Sequence, residues 1–243
     1  MIPISAAVAQ ILAQPAPVIL LDTCSLLDLF RRDSTRQQPR VPAGEIHAAA
    51  ELLQLVTARA QAAHLIVAEL VPGEFATHAD LIEREFDGWL RFHADNQNWL
   101  AEAALWVGTA LPTPAAIHPL GLPARFRRLA EDLLARAQVL DRDQTCLDRA
   151  VVRLLAKRRP SHKKEMKDSM NLEQSLELNR QLRNAGFVYS RVFVSSNTND
   201  FAETSTSSRL HVDLQGEFTA ASLEYFPSLR ATVGSLRARG QLP

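Results

Sequence analysis

The stretch Val18–Arg32, VILLDTCSLLDLFRR, puts a carboxylate, Asp22, at the end of four consecutive apolar residues and then changes period at once. Four apolar residues in a row after Pro17 read as a strand covered on both faces, as strands of parallel sheets are. From Ala43 to Ala63, leucine, isoleucine and valine recur at helical spacing among alanines, and His64–Ala68, HLIVA, reads as a second strand. Together these make one β-α-β unit. Pro72 and Gly73 then open a long helical stretch, Gly108–Pro123 is a proline-bearing loop, and two helices are expected at about Ala124–Leu140 and Gln144–Ala156. Lys157–Lys167, KRRPSHKKEMK, is a basic loop; Asp168 opens a helix that Gly186 ends; Arg191–Ser196, RVFVSS, is another strand; and Glu203–Ser208 is a loop. Strands separated by long helices need crossover connections, so the class is α/β, with a central, mainly parallel sheet flanked by helices.

At 243 residues with 47% hydrophobic content the chain can bury one sizeable core. Lysine plus arginine number 27 and aspartate plus glutamate also number 27, so no strong overall field draws in nucleic acid or an anionic membrane, and such a partner would have to meet a local patch. The two cysteines, Cys24 and Cys146, make neither a disulfide framework nor a thiolate zinc site, which points to a reducing, cytoplasmic setting. No apolar run approaches the roughly 20 residues that span a bilayer, so no membrane partner is expected. Residues 1–16 are expected to form a short amphipathic helical extension, and 17–243 a single domain with a helical insertion around 75–160.

Four acids stand at strand ends or helix starts. Asp22 ends the first strand, Glu74 follows the second at the proline-glycine turn, Asp168 opens a helix, and Asp200 follows the strand at 191–196 through a polar loop. Each has an ordinary reading in isolation: Asp22 and Asp168 as helix caps, Glu74 as a helix-start acid, Asp200 in an Asx-type turn. In parallel sheets, however, ligands bind outside the carboxyl ends of the strands, where acids distant in sequence can converge. A carboxylate set without cysteine or histidine spacing suits hard divalent ions such as Mg²⁺ and Mn²⁺, and phosphodiester hydrolysis is the chemistry it suggests.

At VILLDTCSLLDLF, LVPGEF, KKEMKDSMNLEQSLEL and VFVSSNTNDF the chain resembles the PIN-domain nucleases, which include the toxin ribonucleases of toxin-antitoxin pairs and relatives of the flap endonucleases. The likeness extends over about residues 17–226 in the order and type of elements. It is greatest to the larger bacterial PIN-like branch, which carries extra helices between the second and third acids. The resemblance implies a three-layer fold with helical insertions and an endonuclease, most like an endoribonuclease, with Asp22, Glu74, Asp168 and Asp200 as catalytic metal ligands for Mg²⁺ or Mn²⁺. It implies RNA or DNA as substrate, an antitoxin protein as a partner, and products with a 5′-phosphate and a 3′-hydroxyl. One position departs from the family: Cys24 stands where many members have asparagine or serine.

The basic segment holds six lysines and arginines, Lys157, Arg158, Arg159, Lys163, Lys164 and Lys167, directly before Asp168, as a grip on a phosphate backbone would. Arg125, Arg127 and Arg128 are candidates to extend it. Glu173 is a reserve fifth acid, although Glu173 and Glu177 also fit a solvated helix face. Asp28 and Asp33 are expected to face solvent beside Arg31 and Arg32. His78 lies one turn from Glu74, and Ser25 has no histidine partner in sequence that would make it a nucleophile. Trp89, Trp99 and Trp106 fit a core or interface stripe better than a base-stacking platform. Two other functions stay open: a non-catalytic PIN-like module binding RNA or protein, and a phosphatase of the haloacid-dehalogenase type. The second wants an aspartate where Cys24 stands.

Overall fold

The computed structural model describes residues 1–33, 38–39, 42–58, 62–109, 120–160 and 166–243. In chain order the first elements are α1 (Ile4–Ala13), β1 (Val18–Leu21), α2 (Thr23–Leu27), β2 (Arg32–Asp33), β3 (Gln38–Pro39) and α3 (Ala43–Thr57). There follow β4 (His64–Val67), α4 (Val71–Trp106), α5 (Leu122–Arg136), β5 (Gln138–Val139) and α6 (Gln144–Leu155). The rest is α7 (Met166–Asn184), β6 (Arg191–Val194), α8 (Thr198–Phe201), α9 (Val212–Ala221), β7 (Glu224–Phe226) and α10 (Leu229–Ala238).

The main sheet has five strands in the order β5-β4-β1-β6-β7, all parallel. The apolar runs of β1, β4 and β6 are each buried along their whole length, because helices cover both faces. One face carries α2, α3, the first half of α4, α5 and α10 around Leu52, Phe75, Phe86 and Leu133. The other carries α1, α6, α7 and α9 around Ile11, Leu176, Phe193 and Phe218. The chain moves outward from β1 through β4 to β5 and then returns to build β6 and β7 on the other side. The strand order therefore reverses between β1 and β6, the place where an open α/β sheet leaves a crevice at its carboxyl edge.

Several boundaries differ from the sequence reading. The helix expected over 124–140 stops at Arg136, and Gln138 and Val139 pair with Ile66 and Val67 as the edge strand β5. Two residues are too few to show a period of two. The polar loop before Asp200 contains the single helical turn α8. The N-terminal segment packs into the body: Ile4, Ala7 and Ile11 of α1 are buried, and Ile2 bridges to Leu140 beside β5. The region 75–160 holds β5 and α6 as well as helical additions.

α7 explains why a helix with so little amphipathic pattern forms. It lies buried on nearly all sides, with Ser169, Asn171, Gln174, Ser175 and Asn179 inside. Several of the polar groups are bonded in place, while Asn171 Oδ1 and Asn179 Oδ1 are buried without a hydrogen-bond partner among the described residues. Gln174 accepts from Glu69 N (3.0 Å) and donates to Asp141 O (2.8 Å), tying the helix to the chain just beyond β4 and β5. Ser175 Oγ bonds Asn171 O at 2.7 Å, and Asn179 Nδ2 bonds Ser175 O at 2.6 Å.

Candidate active site

The carboxyl edge of the sheet collects the acids. Asp22 follows β1 directly, and its N–H donates to Val194 O (3.0 Å), so the ends of β1 and β6 are joined at this residue. Its side chain is also the N-cap of α2, with Oδ1 accepting from Thr23 N at 2.9 Å. Ser195, the first residue after β6, donates Oγ–H to Asp22 Oδ2 at 2.7 Å, and Asn171 of α7 reaches Oδ1 at 3.4 Å. The cap and the candidate ligand are one group, because a carboxylate has lone pairs enough for both.

Glu74 lies in the first turn of α4, and Thr23 Oγ–H donates to its Oε2 at 2.6 Å. Asp168 lies in the first turn of α7, three residues before Asn171 and thus on the same helix face. Burial, with the charges of Asp22, Asp28 and Asp168 adding to it and Arg31 opposing, holds the Cys24 thiol far above the usual range. Asp200 is in α8. Asn197 Nδ2 donates to Asp200 Oδ2 at 2.7 Å, and Asn197 N donates to Ser195 Oγ at 3.2 Å, which links Asp200 to Asp22 through Asn197 and Ser195.

Asp22 is 2% exposed, Asp168 8% and Asp200 6%, while Glu74 is only half-buried. Burial raises the Asp22 pKa from 3.8 to about 6, with the Glu74 charge adding to the rise and the Ser195, Thr23 and Asn171 hydrogen bonds opposing it. Its surroundings therefore disfavour the ionised form of Asp22.

The structure relocates several other acids. Asp28, expected in solvent, is 1% exposed, because the short α2 turns it inward onto the β6 loop. Ser196 Oγ donates to its Oδ2 at 2.7 Å and Arg31 to its Oδ1 at 2.9 Å. The side chain of Asp33 lies outside the described part of the chain. Glu173 does not serve as a fifth acid beside Asp22, nor as a solvated face. It is buried, with Arg153 Nε 3.0 Å from its Oε1, and Arg153 also holds Glu217. Glu177 is bound to Arg149 at 2.5 Å. Ser25 bridges loops: its Oγ donates to Val194 O (3.1 Å) and accepts from Ser196 N (3.3 Å).

Lys163 and Lys164 lie outside the described residues. Of the other basic candidates, Lys157, Arg158 and Lys167 are exposed and Arg159 is half-buried. Arg159 Nη1 donates to Asn199 O at 2.7 Å and to Asp200 O at 3.2 Å, which places this segment against the α8 turn. Lys157, Arg158, Arg159 and Arg153 line a cavity of about 350 Å³ with Asp213 as its acid. Arg125, Arg127 and Arg128 do not extend this patch, since α5 packs on the other face of the sheet. Arg127 is held there by Asp80 (2.7 Å), Glu83 (2.7 Å) and Glu131 (2.8 Å).

Thr23, Asn171, Ser195 and Asn197 escaped the sequence reading as site residues. Only Asn171 carries a usable signal, its spacing of three from Asp168 on a helix. The others are small polar residues directly after strands, a pattern shared by ordinary caps and turns. Among the described residues no group of three or more His, Cys, Asp or Glu is arranged to hold a metal ion. What converges is the pair Asp22 and Glu74, bridged by Thr23, with Asp200 linked to Asp22 through Asn197 and Ser195 and Asp168 one helical turn before Asn171. All these side chains offer oxygen, as Mg²⁺ and Mn²⁺ require. No helix among the described residues is long and apolar enough to cross a membrane. Comparison with protein-family models, curated proteins and solved structures finds no match to this chain.

Proposed function

We propose that the chain is a PIN-like endonuclease that hydrolyses phosphodiester bonds of RNA with Mg²⁺ or Mn²⁺. The observation that carries this reading is Asp22: a buried carboxylate at the carboxyl end of the central strand, at the reversal of strand order, with its pKa raised to about 6 and Glu74 beside it. A buried acid that keeps a second acid near it and whose hydrogen-bond donors among the described residues are all neutral gains most from a divalent cation. The order of the acids and the four stretches resembling PIN domains support the same reading.

Asp22 and Glu74 would hold the ion, with Asp168 and Asp200 as further carboxylates. When bound, Mg²⁺ or Mn²⁺ supplies the Lewis acidity that phosphodiester hydrolysis needs. The chain does the rest. Thr23, Ser195 and Asn171 fix the rotamer of Asp22 and the approach of Glu74. Lys157, Arg158, Arg159 and Lys167 offer positive charge to the phosphate backbone next to α8. RNA is the substrate that the resemblance to toxin ribonucleases favours; DNA is a second arm of the assay, and an antitoxin protein and a cytoplasmic setting belong to the same reading.

A second reading is a non-catalytic module that binds RNA, and the lack of a three-acid ion cage among the described residues favours it. The deciding assay incubates a pool of cellular RNA, or single-stranded DNA, with Mg²⁺ or Mn²⁺ and the wild type, Asp22→Asn or Asp200→Asn, alongside binding measured in EDTA. The nuclease reading expects cleavage by the wild type and at least 100-fold less by Asp22→Asn, with binding retained. Equal cleavage by all three proteins would overturn the site, and binding without cleavage by the wild type would establish the module.

A further inference from the structure

The second half of α4 leaves the core. The buried residues of this helix, Val71, Phe75, Ala79, Ile82, Phe86 and Leu90, stop at Leu90, yet the helix continues to Trp106. Along this continuation Phe92, Trp99, Leu100, Trp106 and Val107 are 56%, 65%, 52%, 90% and 78% exposed. At about 100° per residue these five, with Asn96 and Ala103 between them, fall within one sector roughly 120° wide. This is the apolar stripe of a helix that packs on another helix.

We infer that this stripe pairs, antiparallel, with the same stripe of a second copy of the chain. The exposed parts of the five side chains amount to roughly 600 Å², at the top of the range for the largest apolar patch on a monomer and close to the roughly 800 Å² per partner of a stable interface. The charges select the partner and its direction. Arg91 and Glu102 lie on the same flank of the stripe, 11 residues apart by their numbers. Antiparallel helices bring like flanks together, so a two-fold axis between Asn96 and Gln97 sets Arg91 of each copy at the height of Glu102 of the other. A parallel pair brings opposite flanks together and makes neither contact. Arg91 bridges Asp87 within its own helix at 2.7 Å with its side chain 64% exposed, and a guanidinium's five N–H donors can serve more than one carboxylate.

The packing agrees with that axis. Phe92 of one copy falls between Leu100 and Ala103 of the other, and Trp99 between Phe92 and Asn96. Asn96 meets its own counterpart almost on the axis, where a single amide in an apolar seam fixes register. The two bodies then sit at opposite ends of the paired helices, clear of each other, since the 16 residues from Arg91 to Trp106 extend roughly 24 Å. The inference does not depend on the nuclease reading.

The test is the mass of the full chain by sedimentation equilibrium and light scattering from about 1 to 100 µM. The expected result is a reversible dimer of the 26.9 kDa chain. Trp99→Asp should be monomeric throughout and, as its site is exposed, should melt like the wild type at concentrations where the wild type is itself monomeric. Arg91→Glu and Glu102→Arg should each weaken the dimer about threefold or more, and the double exchange should restore it. Under oxidation Asn96→Cys should cross-link between copies, whereas Phe92→Cys, whose counterpart lies roughly 13 Å away along the axis, should not. A monomer at every concentration, a dimer indifferent to Trp99→Asp, or Phe92→Cys cross-linking as readily as Asn96→Cys would each overturn the proposal.

Discussion

Asp22 joins stability to the proposed chemistry through its proton. With its pKa raised to about 6, the folded protein keeps a proton between about pH 4 and pH 6 that the unfolded chain releases. Stability therefore falls as pH rises through that window and stays low above it, by on the order of 2–3 kcal/mol in the absence of metal. Asp22→Asn removes the charge and keeps the shape, so in EDTA at pH 7.5 it should melt higher than the wild type, by about 1–2 kcal/mol of stability, and the gap should close at pH 4. Differential scanning calorimetry at both pH values measures this, and a variant less stable than the wild type at pH 7.5 would contradict the burial of an uncompensated charge. Mn²⁺ should raise the melting temperature of the wild type and leave Asp22→Asn unmoved. Asp22 is legible in the sequence because it ends a buried apolar run where the period changes, a position that suits a helix cap and a ligand alike, and it serves as the cap of α2. Asp28 is not, because its neighbours Arg31 and Arg32 suggest a surface, whereas the inward turn of α2 depends on the β6 loop that meets it.

Among the elements, α6 and α7 are held together by a buried ion network that the sequence does not show. Arg153 is 4% exposed, binds Glu173 and Glu217, and donates to Arg159 O at 2.7 Å, so it also steadies the start of the basic segment. Arg153→Met would leave Glu173 as a lone buried carboxylate and should cost about 3–5 kcal/mol. Arg153→Met with Glu173→Leu removes both buried charges and should recover most of that loss, because an apolar pair of similar volume commonly replaces an ion pair without penalty. Urea unfolding of the three proteins decides it: a double variant as unstable as the single one would show that the network does more than compensate its own charges. In the sequence Glu173 and Glu177 read as a solvated face because i, i+4 acids usually are one. Only the covering of α7 on nearly every side reverses that, and coverage is a property of the assembled layers. The same applies to β5, whose two residues become a strand only because β4 offers them an edge.

At the scale of the molecule, equal numbers of acids and bases conceal an arrangement. Acids gather at the carboxyl edge of the sheet, and Lys157, Arg158, Arg159 and Lys167 lie next to them across α8 and the start of α7. Lys157→Ala with Lys167→Ala should weaken RNA binding in EDTA and lower the slope of log K against log salt by roughly 0.7 for each phosphate no longer neutralised. An unchanged slope in fluorescence anisotropy titrations would mark these residues as solvated surface. The class of the fold is readable from the alternation of apolar runs with helical stretches, and the parallel sheet follows from it. The strand order, and with it the crevice between β1 and β6, is not readable, since β7 is three residues long and its place is set by pairing with β6.

Convergence of the acids on an ion is the point on which the proposed function stands, and diffraction from crystals soaked in Mn²⁺ tests it directly. An anomalous peak within about 2.0–2.6 Å of Asp22 Oδ and of at least one oxygen of Glu74, Asp168 or Asp200 is the expected result. A fully soaked crystal with no peak at Asp22, or with Mn²⁺ bound only elsewhere on the molecule, would contradict it.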